Sequence, residues 1–126
     1  MEDLQPISDA EQAVFCVELA KRLNMLRRQD QLCDITLMTK DGKQFKAHKN
    51  VLSAASPFFF KLLQNNMKEN REGLVRFEQM LGAVMEDVLE FIYTGIVEVT
   101  QENSKDLIAA ANYLFIPGLK KLSGNF

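Results

Sequence analysis

The sequence predicts a helix-dominated α+β domain, and three features carry that expectation. A capping signal opens a long helix near the N-terminus. An alternating run at residues 34–39 leads into Asp41-Gly42, and apolar periodic segments punctuated by Gly95 and Pro117 fill the C-terminal third. With 126 residues, 47% hydrophobic and 25% charged, the chain is long and apolar enough for one ordinary core.

Ser8-Asp9-Ala10-Glu11 fits the S-x-x-E box, in which serine and glutamate satisfy each other's exposed amides, so a helix is expected over residues 10–28. Within it Phe15, Leu19, Leu23 and Leu26 recur at helical spacing, beside Cys16 and Ala20, while Ala13 and Val17 widen the stripe. Glu11, Glu18, Arg22 and Arg28 form the polar side. An arc this wide predicts burial against two surfaces, one from the domain itself and one from a partner.

Residues 34–39 alternate and are rich in strand formers, and Asp41-Gly42 predicts a two-residue hairpin with both residues at positive φ. Residues 44–48 form the return strand. A short helix follows at 50–55, and Ser56-Pro57 restarts it, with serine as N-cap and proline where its missing N–H costs nothing. Residues 65–73 are polar and expected as loop, and 74–78 as a third strand. Val84, Val88, Phe91 and Ile92 mark the next helix, stopped by Gly95. A brief extended piece at 96–99 precedes Thr100, which is expected to cap a helix carrying Leu107, Ile108, Ala111 and Leu114. Pro117 opens the last helix, through Leu119 and Leu122.

Composition excludes several function classes. A net charge of -2 is no basic footprint for nucleic acid. No apolar run reaches membrane-spanning length, and the start MEDLQPISD lacks the pattern of a secretory leader. Cys16 and Cys33 lack CxxC spacing, so both are expected as buried, reduced structural thiols. His48 is the only histidine; it stands between Lys46 and Lys49 with no nucleophile signature, and the glycines form no phosphate loop. No catalytic residue, metal site or cofactor is expected, and the chain is expected not to be an enzyme. Phe58, Phe59 and Phe60 are about 100° apart on a helix, so at least one should face outward or toward a partner.

The run "LCDITLMTKDGKQFKAHKNVLSAASPFF" resembles the signature of the BTB/POZ domain, with Cys-Asp before the first strand, Phe-x-Ala-His-Lys after the hairpin and Val-Leu-x-Ala-x-Ser beyond it. "VLEFIYTGIVEV" and "DLIAAANYLFIPGLKKL" resemble its later helices, and "LNMLRRQDQLCDITL" is most like the Kelch-like branch. The resemblance implies a leader at 1–8, a BTB/POZ domain at 9–124 and a short end at 125–126, with BACK and Kelch domains following.

It also implies a small sheet flanked by helical hairpins, an N-terminal dimerisation helix, and a packing role for His48. A dimer interface is implied at Phe15, Leu19 and Leu23, with Asp34 and Lys49 as a charged pair nearby. An N-terminal strand exchanged between protomers onto 96–99 belongs to many relatives, but Pro6 lacks a ladder donor. Met67-Lys68-Glu69 resembles the hydrophobic-x-Glu motif of BTB domains that bind the N-terminal domain of cullin-3. Phe59 and Tyr113 are placed on the same surface, and Lys61 stands there where Kelch-like relatives usually carry a small residue. The implied function is a homodimeric adaptor for the cullin-3 ubiquitin ligase, cytoplasmic or nuclear. The alternative is the dimerising, corepressor-binding BTB domain of a zinc-finger transcription factor.

Overall fold

A computed structural model describes residues 8–124. Helix α1 (Asp9–Arg28) leads into the hairpin β1 (Ile35–Thr39) and β2 (Gln44–Ala47). Three short helices follow, α2 (Lys49–Ala55), α3 (Pro57–Leu62) and α4 (Lys68–Glu72). Strand β3 (Leu74–Phe77) precedes α5 (Gly82–Thr94), α6 (Ser104–Leu114) and α7 (Pro117–Gly124). The sheet order is β2-β1-β3, with β2 antiparallel and β3 parallel to the central β1. The three helices between β2 and β3 carry the chain past β1 from one edge of the sheet to the other, a crossover long enough for β3 to run parallel to β1. The result is the α+β, helix-dominated architecture expected.

The core sits between this sheet and the helices. Ile35, Leu37 and Thr39 alternate inward along β1, and Val75 and Phe77 along β3. They meet Leu52, Phe59, Met85, Val88, Leu89, Leu107 and Leu114, all with no exposed surface. Burying each such side chain contributes on the order of 1.5–3 kcal/mol before entropy is counted. Ser56 locks two helices at once: its Oγ accepts from the Phe59 amide (3.2 Å), capping α3, and donates to the Leu114 carbonyl (2.6 Å) at the end of α6. That bond sets α3 beside α6.

Several local expectations are met: the capping box at Ser8 and Glu11, the Ser56-Pro57 start, and the left-handed stop at Gly95 (φ 76). Others are corrected. In the hairpin only Gly42 has positive φ (82), and the Gly42 amide donates to Thr39 O while Thr39 N donates to Lys43 O. The loop is therefore a three-residue turn closed by a left-handed glycine, not a two-residue one. Residues 65–73 hold a one-turn helix, α4, stopped by Gly73 at φ 68. Among the described residues, 96–99 pair with no strand, and the expected exchange strand at 1–7 lies outside the described residues. Thr100 caps the turn before α6, exchanging bonds with Asn103 (2.8 and 3.2 Å), and the helix starts at Ser104.

Asp41 does more than turn the chain. Its carboxylate accepts from the Thr39 hydroxyl (2.7 Å) and from the Gly82 amide (3.0 Å), a first-turn amide of α5 that has no partner within its own helix. The Thr39 hydroxyl, with the Gly82 amide and Lys43, holds the Asp41 carboxyl below its ordinary value despite some desolvation. A depressed carboxylate stabilises the fold above the ordinary range, and that contribution is lost as pH falls through the depressed value. Asp41→Ala should therefore lower Tm at neutral pH, with the gap to wild type closing under acid. Thermal melts across pH check this, and equal Tm values at neutral pH contradict it.

Candidate protein-interaction surfaces

Helix α1 is docked by one half only. Asn24 and Arg27 are buried, and Ala20, Leu23 and Leu26 are half-buried, against α5 for the most part. Every residue from 9 to 19 is exposed, including Phe15 at 67%, Val14 at 63%, Val17 at 51% and Leu19 at 49%. The projecting turns carry apolar side chains on nearly every side, so the domain leaves open the second surface that the wide arc requires. Leu23 belongs to the docked half, packed by its own domain. Val14 and Met25 (57% exposed) are further exposed apolar side chains on α1 that the Phe15–Leu19–Leu23 phase leaves out. Cys16 is exposed here, not buried as expected.

The docked half is held by a polar cluster. Arg27 donates to Asn24 Oδ1 (2.9 Å) and Glu90 (3.1 Å) and lies 5.2 Å over the Tyr93 ring. Asn24 and Arg28 donate to the same carboxylate. Burial pushes the Arg27 guanidinium below its ordinary value, with Glu90 opposing. Burial also works to raise the Glu90 carboxyl, but the Asn24 and Arg28 hydrogen bonds and the arginine charges outweigh it and bring it below the usual range.

His48 closes the other side of this cluster. Its Nε2 faces the Gln31 carbonyl at 2.9 Å, which requires a hydrogen on that nitrogen, and Nδ1 lies 2.8 Å from the Tyr93 hydroxyl. The same hydroxyl accepts from the His48 amide (3.0 Å), at the start of α2. Burial pushes Tyr93 up to about 12, so the phenol stays protonated and donates to the ring. Both nitrogens are committed to structure, as the packing reading requires. Burial also raises the half-exposed Cys33 thiol, which keeps it from reactive thiolate.

Asp34 and Lys49 meet, but not as a charge pair. Asp34 Oδ1 accepts from the Lys49 main-chain amide (2.7 Å), supplying the cap that His48 does not give α2. The Lys49 ammonium turns the other way, to the Asn70 carbonyl (3.3 Å). Among the described residues no ion pair joins the two side chains.

The second surface lies between α3, α4, β3 and α6. A groove of about 260 Å³ is lined by Phe58, Leu62, Lys68, Glu69, Leu74 and Tyr113, among others. Its neighbour, about 340 Å³, has Phe77, Met80, Leu81, Val84 and Ala110 in its walls, and Arg76 and Tyr113 border both. Tyr113 is 55% exposed, yet its ring packs 4.9 Å from Phe58 and 6.3 Å from Phe77, a fixed ridge between two depressions. Of the residues expected here, Lys68, Glu69 and Tyr113 come together on one groove. Met67 is half-buried as the N-cap of α4, and Lys61 is exposed on α3.

Phe59 is a correction. It is fully buried in the core and offers nothing to a partner, whereas Phe58 lines the groove and Phe60 is 59% exposed. At least one of the three phenylalanines does face outward, as their spacing required.

Comparison with known proteins agrees with this architecture. Residues 23–126 match the BTB/POZ domain family. Human Kelch-like protein 21 is 35% identical over 121 residues, covering 96% of this chain and 20% of the relative. Human Kelch-like protein 2 is 35% identical over 106 residues, covering 84% and 18% respectively. Among solved structures, the BTB domain of human gigaxonin superposes with a TM-score of 0.79 at 27% identity, covering 98% of each chain. The BTB domain of zebrafish PATZ1 shares the fold, with a TM-score of 0.79 at 23% identity over 97% of this chain and 96% of that one. The chain belongs to the BTB/POZ family of protein-interaction modules. It spans about a fifth of the length of these Kelch-like relatives.

Proposed function

We propose that this domain acts as a homodimer that binds the N-terminal domain of cullin-3, so joining a substrate receptor to that ubiquitin ligase. The observation that carries the reading is the meeting of Lys68, Glu69 and Tyr113 around one groove, directly after the half-buried Met67. Methionine there suits an adaptable apolar contact, and the glutamate adds a polar anchor. The neighbouring apolar trough extends the surface across the Tyr113 ridge. The dimer half of the reading is supported by the exposed, apolar N-terminal turns of α1.

Lys61 sits exposed on α3, beside the helix turn that carries Phe58, and a long cation there works against close packing by the partner. Titration calorimetry with purified cullin-3 N-terminal domain tests the surface. Wild type should bind, and Met67→Ala/Glu69→Ala should weaken binding by about 30-fold or more, the effect of losing a hot spot. Lys61→Ala should bind more tightly than wild type. No heat from either wild type or Lys61→Ala would turn the reading toward the corepressor-binding alternative.

A further inference from the structure

We infer that Lys49 positions the Met67–Glu69 segment, a role that rests on the interaction surface proposed above. The segment needs outside support. Helix α4 has five residues, none of them buried, and packs chiefly on β3. So short a helix does not hold itself together in water. Its own side-chain bonds are local: Arg71 donates to the Asn66 carbonyl (2.8 Å), and Lys68 lies 4.0 Å from Glu72. Neither reaches the rest of the domain.

The tether comes from α2. Lys49 Nζ donates to the Asn70 carbonyl (3.3 Å), one of the carbonyls that α4 leaves unpaired near its C-terminal end, where a cation is favoured. The other end of the same residue is fixed, because its amide donates to Asp34 Oδ1 (2.7 Å) at the entrance to β1. Lys49 is half-buried and stretched between two anchors. The lysine expected from sequence as a charge near the dimer interface thus serves as a strut under the groove wall that Lys68, Glu69 and Glu72 form. Among the described residues it makes no hydrogen bond or ion pair with a groove-lining side chain, so it acts through α4 as a positioning residue.

Hydrogen–deuterium exchange of the whole chain reads this without any partner. Lys49→Met keeps an apolar stem of similar length and removes the ammonium. The amides of residues 68–73 should exchange about 5–10-fold faster in Lys49→Met, with β1 and α5 unchanged, and Lys49→Arg should restore most of the protection. In parallel, Lys49→Met should weaken cullin-3 binding by about 5-fold at unchanged dimer mass. Unchanged exchange at 68–73 overturns the inference. So does uniformly faster exchange, which means general destabilisation, or a halved mass, which means an interface role. If exchange at 68–73 responds but wild type binds no cullin-3, the positioning role stands and the proposed partner falls.

Discussion

Phe59→Ala is expected to lower unfolding stability by about 3–5 kcal/mol, the range for emptying a fully buried aromatic site. Phe59 has no exposed surface and packs edge-on against Phe58 (5.6 Å) and Phe77 (6.0 Å), so neighbours on two elements lose contacts together. Phe60→Ala, one residue on and 59% exposed, should change stability by no more than about 0.5 kcal/mol. Urea unfolding of the pair checks the contrast. Similar losses for both would mean that the helical phase of α3 is wrong.

The second large effect is on assembly. Phe15→Asp/Leu19→Asp places two carboxylates on exposed turns of α1, where Phe15 is 67% and Leu19 49% exposed. The isolated fold should tolerate them, because Arg27 and the Glu90 cluster hold α1 from its other half. A dimer burying those turns should not, as an unpaired charge inside an interface costs several kcal/mol. Light scattering should report a fall to the mass of one chain with helical content retained. A mass unchanged by the two carboxylates would remove α1 from the interface.

How much was legible in sequence follows from how local each signal is. The caps at Ser8, Ser56 and Gly95 depend on residues three or four apart, and the structure has them all. The helix over Lys68–Glu72 was read as loop because five polar residues carry no apolar period. On α5 the expected stripe was slightly out of phase: Val88 is buried, but Met85 and Leu89 fill the core while Val84 and Phe91 are only partly covered. Three successive phenylalanines on a six-residue helix leave its phase open, so only the resemblance assigns Phe59 to the surface, and the fold puts Phe58 there instead. The Lys49 bond is out of reach for a different reason. Its acceptor is the main-chain carbonyl of Asn70, 21 residues away, and a carbonyl leaves no trace in residue identity.

The most direct test of the central claim is the molar mass of the wild-type chain, alone and with excess cullin-3 N-terminal domain, by chromatography with light scattering. Twice the 14.4 kDa chain mass is expected for the chain alone, and with partner a larger species holding one cullin fragment per chain. A folded species of single-chain mass, eluting unchanged beside free cullin-3, would contradict that claim.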